Sequence, residues 1–271
     1  MLNVFPDSIA VDLSCHLNGC AFPAPGTEIF QYPALFSIGP LGVNKPVILI
    51  AMVTVVLIAF FAMAYRKPKL VPGKLQSVGE LSYIFVRDQI SRETIGKSGD
   101  KFIPFLFALF FFVAVSNFLG IVPGAQLPPT AFFVFPVALA LIVWVTYMYL
   151  GMKNQGPVKF YTNMMFPPGV PSWVLVILAP IELLSNVIIR PFTLAIRLMA
   201  NMFAGHLLLT VFIVAAIYLA SPSVIGILGS VASGVMALIM TGFEFMIELL
   251  QAYIFTLLTA SYIAGSLSSE H

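Results

Sequence analysis

Charge is what this sequence has least of. Only 9% of its 271 residues are Asp, Glu, Lys or Arg, while 60% are hydrophobic; an ordinary soluble domain carries about 25% charged residues. That balance excludes a soluble globular protein. The shortage deepens along the chain, because 16 of the 24 charged residues fall within residues 1–101 and only 8 in the remaining 170. Net charge is +2, and no basic stripe interleaved with aromatics exists, so nucleic acid is excluded as a partner. Cysteine is scarce as well: Cys15 and Cys20 are the only two, at a spacing that suits neither a zinc site nor the redox Cys-x-x-Cys motif. They form a local disulfide only if this end faces an oxidising compartment, and otherwise stay two thiols. No basic stretch followed by a short apolar run opens the chain, which argues against a cleaved signal peptide. Phosphate-loop, Gly-x-Ser-x-Gly, His-Glu-x-x-His and paired-aspartate motifs are all missing, so neither nucleotide chemistry nor an intramembrane enzyme is indicated. No cofactor or metal is expected, and there is no inverted repeat of the kind found in many transporters.

What the chain does have is long uncharged runs. Pro46 to Tyr65 is 20 residues without a charge, enough at about 1.5 Å per residue to cross roughly 30 Å of hydrocarbon. Residues 66–101 then hold eight basic side chains against four acidic ones, which by the positive-inside rule puts this segment in the cytoplasm and the N-terminus outside. Within it Leu75, Val78, Leu81, Ile84 and Phe85 recur at helical spacing, predicting an amphipathic helix over about 73–96 on the membrane surface. Two further uncharged spans, about 102–122 and 131–152, are joined by a Pro/Gly-rich turn and predict a hairpin turning on the outside. The Phe-rich run 105–112 reads as lipid-facing packing, not as a cofactor box. Lys153 and Lys159 mark a return to the cytoplasm, in a loop broken by Pro157, Pro167, Pro168 and Pro171.

The last hundred residues are unusual. Leu198 to Phe243 contains no Asp, Glu, Lys or Arg and a single histidine, His206. The stretches 173–220 and 224–267, separated at Ser221-Pro222-Ser223, would each be about 70 Å long as one helix, over twice the hydrocarbon thickness. Either each folds into two shorter spans, or each is one strongly tilted helix held by its neighbours. Both arrangements return the C-terminus to the cytoplasm.

Charged side chains inside spans are costly and default to function. There are five here, Glu182, Arg190, Arg197, Glu244 and Glu248, with Asn186, Asn201, His206 and Gln251 around them. At about 100° per residue, Arg190, Arg197 and Asn201 share one helix face, while His206 looks the opposite way from Arg197. Glu244, Glu248 and Gln251 follow at i, i+4 and i+7, the spacing of a proton relay. Arg197 is the most informative residue. A guanidinium does not deprotonate, so it carries no proton itself. It holds a fixed positive charge that drives the proton off any carboxylate brought close, and with no evident acid on its own face that carboxylate comes from elsewhere. Structural readings stand beside these: Arg190, just before Pro191, also suits pairing with Glu182 or Glu244 or interfacial snorkelling, and the same pairing is a lesser alternative for Arg197; His206 suits a satisfied core histidine; Glu248 suits snorkelling or a contact with a partner chain.

The stretch Arg190-Pro-Phe-Thr-Leu-Ala-Ile-Arg197-Leu-Met-Ala-Asn201-Met-Phe-Ala-Gly-His206 resembles the signature segment of the membrane-embedded a subunit of F-type ATP synthases. Gln251-Ala-Tyr-Ile-Phe-Thr-Leu-Leu resembles that family's second signature and Asn117-Phe-Leu-Gly-Ile-Val-Pro123 its third, the likeness running from about residue 46 to 267. The resemblance implies an all-α polytopic membrane protein: residues 1–45 an extracytoplasmic segment the family does not explain, and 46–271 a membrane domain. That domain comprises a spanning helix over 46–65, the surface helix, the hairpin and two long tilted C-terminal helices. It further implies that Arg197 faces the carboxylate of each passing c subunit in the rotor ring, with Asn201 one turn on and Gln251 opposite. His206 and Glu244 would line the entry half-channel, their order exchanged relative to some members; Glu248 has no firm family role. The expected proton path comprises His206, Glu244, Glu248, Glu182, Asn186 and Arg190. Expected partners are the c ring, the b subunits of the peripheral stalk, the remaining ATP synthase subunits and the lipid of a bacterial plasma membrane. The alternative is a stand-alone proton-coupled secondary transporter using Arg197 and Glu244.

Overall fold

The structure is a computed structural model that describes residues 36–38, 41–66, 69, 71–122, 128–166, 172–221 and 223–267. Cys15 and Cys20 lie outside the described residues. Apart from a short ribbon, in which β1 (Phe36–Ile38) pairs antiparallel with β2 (Leu41–Val43), the described chain is helical. Helix α1 spans Lys45–Ala64 and α2 Lys74–Phe85, the latter widening into a π-turn over Val86–Arg92. A 3-10 turn, Lys97–Phe102, leads into α3, Ile103–Phe118; then come α4 (Val134–Gln155), α5 (Pro157–Met165), α6 (Ser172–Leu184), α7 (Arg190–Tyr218) and α8 (Val224–Leu267). Among the described residues five helical stretches are long and apolar enough to cross a membrane, so the chain is an all-α polytopic membrane protein.

The two C-terminal stretches are single unbroken helices, which settles the choice between paired short spans and one long one. Ile177–Tyr218 runs for 42 residues and Val224–Leu267 for 44, about 63 and 66 Å of helix. Hydrocarbon roughly 30 Å thick accommodates such lengths only if they are strongly inclined.

The chain divides into two compact units: Met1–Val53, Val115–Phe132 and Ala200–Leu250 form the first, and Thr54–Ala114, Phe133–Met199 and Gln251–His271 the second. Buried residues of the second unit are mainly apolar, among them Ile90, Ile103, Leu106, Val143, Leu194, Leu198, Phe255 and Ile263. Rings also bind its elements together. Phe61 of α1 lies 4.8 Å from Phe107 and 5.3 Å from Phe111 of α3, and Phe85 at the end of α2 lies 5.6 Å from Phe110. The reading of 105–112 as lipid-facing is corrected at Phe110, which is buried, while Phe105, Phe107, Phe111 and Phe112 stay partly exposed. Edge-to-face pairs of Phe61 with Phe107 and Phe111 hold α1 to α3.

Helix α2 turns its apolar stripe outward: Leu75, Val78, Leu81, Ile84 and Phe85 are exposed, while Gln76 and Gly79 are buried. An outward apolar stripe suits lipid as its solvent. Gln76 ties the helix to the preceding segment, accepting from the Lys69 N–H at 3.1 Å and donating to the Lys69 carbonyl at 3.0 Å and to Glu80 at 2.7 Å. In the π-turn, the hydrogen bonds that Arg87 donates to Asp88 hold that carboxyl below the usual carboxylate range.

The expected loop after α4 begins as a helix. Gly156 ends α4 at φ +82°, a conformation that favours glycine, and Pro157 starts α5 with its φ already set. Phe160 of α5 is buried against Gly151 of α4, where even one methyl group would collide with its ring.

Candidate proton path and stator arginine

The local geometry around Arg190 starts from a proline. Pro191 has no N–H, and its ring crowds the preceding turn, so the backbone widens into a π-turn over Ser185–Ile189. The Arg190 N–H accordingly reaches back to the Ser185 carbonyl. The Asn186 carbonyl is thereby skipped, and the next donor in register would be the one Pro191 lacks. Tyr147 of α4 supplies it: its phenol donates to the Asn186 carbonyl at 2.6 Å. The Asn186 amide in turn donates to the Glu182 carbonyl at 2.8 Å and to its carboxylate at 3.3 Å. Arg190 forms no ion pair among the described residues. Its guanidinium lies 5.4 Å from the centroid of the Tyr262 ring, a cation–π contact. Of the partners sequence alone leaves open for Arg190, the described residues supply an aromatic ring and not an acid.

These groups line a cavity of about 270 Å³ in the second unit, in which Glu182, Asn186, Arg190, Tyr147 and Tyr262 meet Gln155, Asn163 and Ser266. Its polar rim is ordered by Asn163 donating to Gln155 at 3.1 Å and Gln155 donating to the Ser266 carbonyl at 3.2 Å. A space of this size and polarity admits water.

Arg197 lies two turns beyond Arg190 on α7. It is exposed, and no acid among the described residues is within ion-pair distance. Thr193, Asn201, Ala204 and Leu208, which recur with it at helical spacing, are exposed as well. His206 is buried at 8% exposure, as its position on the opposite side of the helix requires. Gln251 is buried in the second unit.

The first unit brings His206 and Glu244 together across 38 residues of sequence, with Nδ1 of the histidine 3.4 Å from Oε1 of the glutamate. Gly205 makes room for this pair. A Cβ at that position would stand 3.2 Å from Glu244 Oε1. A cavity of about 180 Å³ lies alongside, lined by Asn201, Gly205, Glu244 and apolar neighbours. Glu248, one turn past Glu244, is completely buried, and neither of its carboxylate oxygens has a hydrogen-bond partner among the described residues; nor has Glu244 Oε2. Asn117, buried at the end of α3, donates to the Glu248 backbone carbonyl at 3.4 Å and accepts from Thr130 at 2.7 Å.

Sequence reasoning missed Tyr147, Tyr262 and Gly205. The signal for Gly205 was a helix-interior glycine directly before the one histidine of the run, since glycine in a helix weakens it unless something must come close. Tyr147 and Tyr262 carried no such mark.

Helices of this length, with His206, Glu244 and Glu248 buried among them, define a polytopic α-helical membrane protein. The chain belongs to the ATP synthase A chain family, whose model matches residues 47–264. ATP synthase subunit a of Streptomyces lividans is 44% identical over 97% of this chain and 94% of its own length. The Frankia alni and Nocardioides proteins of the same name are 43% and 38% identical, covering 92% and 94% of this chain and 88% and 96% of their own. The chain is thus a component of the membrane-embedded FO sector of an F-type ATP synthase and associates with other subunits of that complex. It is not itself catalytic; the catalytic sites are in the F1 sector.

Proposed function

We propose that this chain is the proton-conducting stator of the motor: it provides two aqueous half-paths and, in Arg197, the fixed charge against which the c ring turns. The observation that carries the reading is Arg197 itself, an exposed guanidinium in a spanning helix with no acid among the described residues within ion-pair distance. A permanent charge in such a setting calls for an anionic partner from another chain. The carboxylate of a passing c subunit has the required chemistry.

In this reading a proton enters from outside along His206 and Glu244 and neutralises a ring carboxylate. Once neutral, that carboxyl rotates into lipid at acceptable cost. After nearly a full turn it meets the second half-path, the cavity of Glu182, Asn186 and Arg190, and releases its proton to the cytoplasm. Arg197 stabilises the ionised carboxylate and, being a fixed positive charge, keeps protons from running directly between the half-paths. Asn201 and Gln251 flank the exchange. The membrane potential contributes about 2.3 kcal/mol per charge per 100 mV, so several protons pass for each ATP. The b subunits of the peripheral stalk hold the stator still. The chain sits in the bacterial plasma membrane with its N-terminus outside and its C-terminus in the cytoplasm.

Replacement of Arg197 by Ala in the assembled complex tests this. Proton-driven ATP synthesis in vesicles is expected to vanish while the quantity of assembled complex stays near normal. Synthesis at the normal rate would rule the reading out.

A further inference from the structure

The polar pair of the first unit leaves Glu248 unexplained. A glutamate kept for structure has its oxygens hydrogen-bonded or ion-paired, and both oxygens of Glu248 are buried without a partner among the described residues. A specific space has nevertheless been made for this carboxyl. Gly120, in the turn after α3, stands against it so closely that a Cβ there would lie 3.1 Å from Glu248 Oε1 and 3.3 Å from Pro128. The turn is itself held in place, since Asn117 donates to the Glu248 backbone carbonyl and receives a hydrogen bond from Thr130, both side chains being buried. Along α8, Glu248 is one turn beyond Glu244, a separation that puts the two Cβ atoms about 6 Å apart on one face. It is also one turn short of Gln251.

We infer that Glu248, seated in a notch formed by Gly120, is a third proton-carrying group of the entry path, receiving the proton from Glu244 and handing it on toward the rotor. The transfer moves a proton alone. An O–H bond at Glu244 breaks as one forms at the Glu248 carboxylate, and the pair as a whole keeps its charge. Gly120 is a positioning residue: it touches no proton and acts only by leaving the carboxyl its space. This inference rests on the stator reading, and the Arg197 substitution tests that reading separately.

The experiment uses assembled ATP synthase in vesicles, comparing acid–base-driven ATP synthesis with passive proton conduction after removal of F1. Glu248→Gln keeps size and polarity but removes the exchangeable acid, and is expected to lower both rates about tenfold or more. Glu248→Asp retains an acid and is expected to fall between Gln and the natural residue. Gly120→Ala is expected to cost severalfold in the natural background and less than twofold beside Glu248→Gln, because the two changes act on one group. Three results would overturn the inference: a normal rate with Glu248→Gln, an Asp variant no better than Gln, or equal losses from Gly120→Ala in both backgrounds. If Arg197→Ala stops synthesis while Glu248→Gln leaves it normal, the relay fails and the stator stands. Normal rates in both would remove the two together.

Discussion

His206 and Glu244 are 3.4 Å apart in the first unit, and each is buried. What the proposed path requires of them is one histidine and one carboxyl facing each other, not a particular order along the chain. Exchanging the two side chains at once is therefore expected to cost less proton-driven synthesis than either single replacement. Additive losses in that cycle would mean they do not share a path. Gly205 belongs to the same argument. Its replacement by Val would push the added carbons toward Glu244 Oε1, 3.2 Å from where a Cβ would stand, and is expected to reduce passive proton conduction severalfold without loss of assembled complex. The chemistry of these residues was legible in the sequence, because charged and imidazole side chains are so rare in the last hundred residues that each one is conspicuous. Glu248 was conspicuous for the same reason, but its companion Gly120 was not. The two are far apart in the chain, and nothing in the local pattern of Gly120 announces that it stands against Glu248.

At the scale of the element, the decisive feature is the π-turn between α6 and α7. It follows from Pro191, and it leaves the Asn186 carbonyl to be satisfied by Tyr147 at 2.6 Å. Tyr147→Phe removes that donor and is expected to destabilise the solubilised complex by about 1 kcal/mol, measured as a lowered thermal transition. Gly151→Ala is a larger disturbance, since the new methyl collides with the Phe160 ring, with an expected cost of about 1–3 kcal/mol. Combining it with Phe160→Leu is expected to restore part of that loss; no restoration would mean the contact does not set the α4–α5 junction. The two long C-terminal helices could be foreseen as long apolar stretches, because only one strong break, at Ser221-Pro222-Ser223, interrupts them. The π-turn could not be foreseen in the same way. A proline at the start of a helix is ordinary, and the widening shows only when the carbonyls ahead of it are followed to their partners. The same holds for the Phe-rich run, where composition alone does not distinguish a ring facing lipid from a ring packed on Phe61 or Phe85.

For the whole molecule, the shortage of charge and the length of the apolar runs were enough to define an all-α polytopic membrane protein, because hydrocarbon permits few alternatives. The excess of basic residues in 66–101 adds an orientation. An epitope tag at the N-terminus is accordingly expected to be removed by protease added to intact spheroplasts, and a C-terminal tag to be spared. The opposite pattern would reverse the direction of both proposed half-paths. The central claim concerns Arg197, and the most direct measurement is proton-driven ATP synthesis by the assembled complex carrying Arg197→Lys, with passive proton leak recorded on the same vesicles. Lysine keeps a positive charge but loses the fixed fork of donors and can give up its proton. The account predicts lost synthesis, a complex present in normal amount, and increased leak as the barrier between the half-paths weakens. Normal synthesis with no change in leak would contradict it.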